Sequence, residues 1–218
     1  MKRVVLILLA ISLIMGCRAA EKGEKKVTPK REKPSVVEEE APPKPTPEAK
    51  KILMIIAHKD FRDEEYKQPR NLFEEEGFDV TVASSSLEEA KGMLGMEVKP
   101  DILLDQVNVE DYDAIVFVGG SGASEYWDNS TAHTIAQKAV EANKILAAIC
   151  IAPVTLANAG VLSGKKATVY SSRIGEIQAK GAKYEETDVI RDGNIITASG
   201  PQASRAFARA IVEALKES

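Results

Sequence analysis

Histidine and cysteine are nearly missing from this 218-residue chain, which has two of each. His58 and His133 lie far apart, and neither forms a metal-ligand spacing with the other or with Cys150, so no resident metal is expected. Basic clusters with interleaved aromatics are also lacking: the formal charge is −4, both signs are spread along the chain, and nucleic acid is excluded as a partner. The glycine-rich run Gly119-Gly120-Ser121-Gly122 lacks the Gly-x-Gly-x-x-Gly spacing, and no Gly-Lys-Ser/Thr follows it. A phosphate cradle is therefore not indicated, and no cofactor is expected. No apolar run is long enough to span a bilayer; the stretch Val4 to Met15 has about a dozen residues against the roughly 20 required. Internal repeats are absent as well.

What is present falls into three parts. Residues 1–17 run from Lys2 and Arg3 through that apolar stretch to Gly16-Cys17, the layout of an exported signal peptide. Leu13-Ile14-Met15-Gly16-Cys17 resembles a bacterial lipobox, which implies cleavage before Cys17, its lipidation, and a lipid bilayer as a partner. The protein is thus expected in the cell envelope, lipid-anchored and facing outside the cytoplasm. Residues 18–50 hold six of the ten prolines, mixed with Lys and Glu and without an aromatic, and read as a disordered tether. Residues 51–218 have the length of one domain with one sizeable core.

Within that domain, strand-like runs alternate with helical periods. Strands are predicted at Lys51–Ala57, Asp79–Ala83, Ala114–Val118, Lys144–Ile149, Ala167–Tyr170 and Ile195–Ala198. Helices are predicted at Glu64–Glu76, Thr131–Glu141, Ala152–Asn158 and Ala203–Lys216. This order argues for an α/β fold with a mostly parallel sheet and helices on both faces. Ligands in such sheets bind beyond the carboxyl ends of the strands, which singles out the loops after Ala57 and Val118 and the turn at Cys150.

Cys150 is the strongest candidate for chemistry. It sits where an apolar strand breaks into a helix, and amide N–H groups at a helix start favour a thiolate. A cysteine in that place also reads as a small core hydrophobe, but a lone thiol in an oxidising compartment is a liability unless buried or used. Gly120 and Ile151 can present backbone N–H groups to an oxyanion there. Tyr126 and Trp127 follow the glycine loop and are placed to line a pocket or an interface.

Several motifs together resemble the DJ-1/PfpI superfamily of class I glutamine-amidotransferase-like proteins, over nearly all of residues 51–216. They are Asp111-Tyr112-Asp113-Ala114-Ile115-Val116-Phe117-Val118-Gly119-Gly120, Ala148-Ile149-Cys150, Ala159-Gly160-Val161-Leu162-Ser163-Gly164, Ser199-Gly200-Pro201, and Glu65 placed four residues before Pro69. The resemblance implies a flavodoxin-like three-layer sandwich, Cys150 as nucleophile or redox sulfur, Glu65 as its proton partner, and Gly120 with Ile151 as the anion site. His58, Gly119, Ser121 and Tyr170 are further pocket candidates, while His133 reads as a solvated helix residue. Family members that act as proteases carry histidine directly after the cysteine, and another branch carries one at the position of Tyr170. Here Ile151 and Tyr170 occupy those places, which argues against peptidase or amidotransferase chemistry because a thiol–histidine pair is the usual activation.

Three functions remain. The first is a cofactor-independent thiol enzyme acting on small reactive carbonyls, glyoxalase- or deglycase-like, with Cys150 adding to the carbonyl and Glu65 moving protons. The second is a stress or chaperone-like protein that responds to an oxidant through Cys150. The third is a non-catalytic envelope binding module. Pairing as a homodimer is a further expectation from the resemblance.

Overall fold

A computed structural model describes residues 49–218. The signal-peptide, Cys17 and tether readings lie outside the described residues. In chain order the elements are β1 (Lys51–Ile55), β2 (Lys59–Phe61), α1 (Asp63–Glu75), β3 (Asp79–Ser84), β4 (Ala90–Gly92), β5 (Glu97–Val98), β6 (Ile102–Leu103), β7 (Ala114–Phe117), α2 (Ser130–Glu141) and β8 (Ile145–Ile149). They continue with α3 (Pro153–Asn158), β9 (Lys166–Ala167), α4 (Ile174–Ala179), β10 (Lys183–Tyr184), β11 (Val189–Asp192), β12 (Ile195–Ala198) and α5 (Ser204–Glu217).

Seven strands form one sheet in the order β11-β12-β8-β7-β1-β3-β6. All neighbours are parallel except the edge pair β11–β12. Past the exposed Lys51 that opens β1, the central strands β1, β7 and β8 are apolar because both of their faces are covered. Successive side chains go to opposite layers. Ile52 and Met54 pack with Phe73 of α1 and Phe207 of α5, whereas Leu53 and Ile55 pack with Ile135 of α2 and Leu156 of α3. The closing helix α5 buries Phe207, Ile211 and Leu215, four residues apart along one stripe, and truncating a buried Phe of this kind costs about 3–5 kcal/mol. The α/β sandwich with a mostly parallel sheet expected from the sequence is the observed fold.

Three differences matter for the site. The predicted strand Ala167–Tyr170 is cut to Lys166–Ala167, because Thr168 N–H donates to Thr197 Oγ1 and Tyr170 N–H to the Cys150 carbonyl instead of to a ladder. A small sheet, β2-β4-β5, lies beside the main one and was not anticipated. The antiparallel partner of β12 was not anticipated either.

Candidate active site

Strand β8 ends at Ile149, and the chain turns at Cys150 with φ of 63°, a conformation that few non-glycine residues adopt. Neighbours hold it there. Cys150 N–H donates to the Ala198 carbonyl at 2.9 Å, and the Cys150 carbonyl accepts from Tyr170 N–H at 2.8 Å. Such a turn stores strain that the surrounding bonds must fix, and it sets the side chain at the carboxyl end of the sheet.

The loop after β7 closes on this turn. A Cβ on Gly119 would stand 2.4 Å from Glu65 Oε2 and 2.6 Å from Cys150 Cβ, so only glycine lets the three groups meet. Gly120, with φ of 101°, leaves no room for a side chain either, since a Cβ would lie 2.4 Å from the Arg62 nitrogen. The Gly119 carbonyl accepts from Arg62 N–H at 2.9 Å, which fixes the start of α1 against the loop. That contact directs Glu65, on the first turn of α1, toward the sulfur. Pro69 lies inside α1 and has no N–H to give the Glu65 carbonyl.

Glu65 is fully buried, and neither of its carboxyl oxygens has a partner at hydrogen-bond geometry. Burial raises its pKa to about 8, and the neighbouring Cys150 thiol, Arg62 charge and Gly119 amide pull it back only in part. Cys150 is 8% exposed; burial, and then the charge of Glu65, push its thiol up. The backbone N–H groups of Gly120 and Ile151 face the sulfur and act in the opposite direction. Burial and the turn amides thus act on the thiol in opposite directions. Amides at the turn are in place, but the turn is dry, and a dry site that holds a carboxyl group disfavours a second negative charge.

Above the sulfur lies an open pocket of about 450 Å³. Gly120, Ile151 and Cys150 form part of it, with Arg62, Trp127 and Arg173 among the other lining residues. Among the described residues, no group of three or more His, Cys, Asp or Glu side chains is arranged to hold a metal, and no helix is long and apolar enough to cross a membrane.

A sequence-family model described as the DJ-1/PfpI family matches residues 50–214. The chain belongs to the DJ-1/PfpI family. An uncharacterised protein of Methanocaldococcus jannaschii is 38% identical over 220 residues, covering 100% of this chain and 98% of that protein. The deglycase PH1704 of Pyrococcus horikoshii is 34% identical over 166 residues, covering 76% of this chain and 99% of the relative. Among solved structures, a ThiJ/PfpI domain protein from Brachyspira murdochii superposes with a TM-score of 0.77 at 33% identity, covering 78% of this chain and 98% of that one.

Of the residues singled out in the DJ-1/PfpI domain, Cys150, Glu65, Gly119, Gly120 and Ile151 come together, and Ser121 and Tyr170 line the pocket. Trp127 lines it too, its indole Nε1–H donating to the Ile151 carbonyl at 3.2 Å. Tyr126 does not, because it is buried with its hydroxyl donating to the Ile56 carbonyl. His58 is not part of the pocket lining. Its amide donates to the Glu125 carboxylate, and its Nδ1 is buried without a partner. His133 is half-buried, and its Nε2 lies 2.7 Å from the Trp127 carbonyl, so it steadies the loop that carries Trp127.

Sequence reasoning missed Arg62, Arg173 and Met93 in the lining. Met93 follows β4, and that hairpin is pinned by the buried Asp63 carboxylate, which accepts from Leu94 N–H and Met96 N–H at 2.8 Å each. The nearest signal for Arg62 was its place just before the Asp63-Glu64-Glu65 run; for Arg173 there was none.

Proposed function

We propose that this protein is a cysteine-dependent, cofactor-independent enzyme acting on small reactive carbonyls, in the manner suggested by the relatives named deglycases. One observation carries the reading: a fully buried carboxyl group without a fixed partner stands against a thiol held at a strained turn beneath a pocket. Orphaned buried carboxyl groups are costly, and such groups concentrate where protons move.

In its reactive form the pair has given up one proton and accommodates one negative charge. We assign that charge to sulfur, against the upward push of burial, because two amides, of Gly120 and Ile151, face it, whereas Glu65 has the Gly119 amide alone nearby and no donor at bonding geometry. Glu65 then carries the proton. The thiolate adds to the carbonyl carbon, a carbon–sulfur bond forms, and the carbonyl π pair moves to oxygen, which takes the Glu65 proton. The product is a neutral hemithioacetal with Glu65 left as carboxylate, ready to accept a proton in the following step.

Turnover of glyoxal or glyoxylate by the full chain, lost in Cys150→Ser, is the test; a wild-type chain with no turnover on glyoxal, methylglyoxal or glyoxylate would contradict it. A second reading draws on the same amides and carboxyl group, which would equally hold a sulfinate at Cys150. It requires a peroxide-dependent mass gain of two oxygens at Cys150 without carbonyl turnover.

We further propose that Cys17 is lipidated and that residues 18–50 tether the domain to the membrane. Cys17→Ser should move the protein from the membrane fraction to the soluble one; an unchanged distribution would overturn this.

A further inference from the structure

We infer that the pocket is selective for carbonyl compounds that also bear a carboxylate, with Arg173 as the group that engages it; this rests on the reading of Cys150 as the nucleophile. Two guanidinium groups, Arg62 and Arg173, line the pocket, and among the described residues no carboxylate does. They are not equivalent. Arg62 is occupied, its Nε and Nη2 donating to the two oxygens of Glu64 at 2.8 and 3.1 Å. Among the described residues, the Arg173 side chain donates through Nη1 alone, to Glu176 at 2.9 Å, and its Nε is buried with no acceptor. A buried guanidinium N–H without an acceptor is an unmet demand for an anion.

The Arg173 group is also preorganised. Its central carbon lies 4.9 Å from the centre of the Trp127 ring, and Trp127 is itself fixed by its bond to the Ile151 carbonyl. The Trp127 carbonyl accepts in turn from Asn158 Nδ2. An arginine stacked on a ring keeps its plane, and a planar fork matches the two oxygens of a carboxylate better than it matches a neutral oxygen. Because the Trp127 indole donates to the residue that follows Cys150, the anion site and the sulfur are coupled through one side chain. Ser121 and Ser172 add hydroxyl groups to the lining. A 2-oxo acid or a short aldehyde acid fits this set: a carbonyl carbon for sulfur and a carboxylate for Arg173.

Two measurements on the full chain separate this inference from the proposed catalysis. Trp127 is the only tryptophan, so its fluorescence reports ligands that cannot react with the thiol. Lactate is expected to bind at least about tenfold tighter than lactamide, with that preference lost in Arg173→Gln and partly kept in Arg173→Lys. Cys150 alkylation adds a second readout: iodoacetate is expected to gain on iodoacetamide relative to a free thiol, and Arg173→Gln to remove the gain. Equal binding of lactate and lactamide, phosphate binding tighter than lactate, or a reagent ratio unmoved by Arg173→Gln would overturn the inference. An inert thiol together with lactate binding that depends on Arg173 would leave the anion site standing and sink the catalytic reading alone.

Discussion

Asp63 and Glu65 are two buried carboxyl groups on the first turn of α1, yet they face two differently built regions. Residues two apart on a helix do not face the same way, so one turn serves both. Asp63 looks toward the β4–β5 hairpin, where two backbone N–H groups meet it at 2.8 Å and a Cβ on Gly92 would clash with it at 2.6 Å. Glu65 looks toward the Gly119 loop and Cys150 and meets no donor at bonding geometry. Identical chemistry is thus a fastener in one region and, in the proposed reaction, a proton carrier in the other. What separates them is whether the surroundings supply N–H groups to the oxygens.

The largest expected contrast is in turnover. Glu65→Gln should lower carbonyl turnover by about 10²–10⁴-fold, the usual size of a positioned proton-transfer group, whereas Asp63→Asn should leave most of it. Equal losses in the two variants, read as kcat/KM on glyoxal, would erase the distinction.

Next comes the pH dependence of stability. With Glu65 raised to about 8, the buried Glu65–Cys150 pair keeps both protons up to that pH, against an unfolded carboxyl value near 4.5, so the folded state holds its proton more tightly. The stabilisation from that tighter binding is complete below the unfolded pKa and is lost as pH rises through the folded one. Wild type should therefore lose roughly 3–5 kcal/mol between about pH 4.5 and 8 that Glu65→Gln does not lose, measured by denaturant unfolding at the two ends. Parallel curves for the two proteins would contradict a protonated, buried Glu65.

A smaller effect is expected at Asp63. Removing its side chain in Asp63→Ala leaves the Leu94 and Met96 N–H groups without their acceptor and should cost about 1–3 kcal/mol. The check is denaturant unfolding of the variant beside wild type at neutral pH.

How far the sequence revealed these regions follows from the kind of signal each one leaves. The sheet was legible because β1 after Lys51, β7 and β8 are continuous apolar runs separated by helical periods. Cys150 and Gly120 were legible because a strand-to-helix break and a glycine run leave local marks, and Glu65 through its spacing to Pro69. Asp63 was not, since it is hidden in an acidic first turn that reads as ordinary helix-start charge. Arg173 was not either, because it lies in a short irregular turn without periodicity, and its distance from the sulfur in sequence says nothing about a shared pocket. The upward push on the thiol was also out of reach: spacing marks amides at a turn but does not report how much water the fold removes.

The pH profile of Cys150 alkylation by iodoacetamide, in the full chain beside Glu65→Gln, tests most directly where the charge of the pair resides. If sulfur bears it and Glu65 holds the proton, the substitution exchanges the carboxyl O–H donor for a weaker amide N–H, and the midpoint of the profile should move to higher pH. A midpoint that moves to lower pH would show that Glu65 is the charged member and had been suppressing the thiolate, contradicting the assignment.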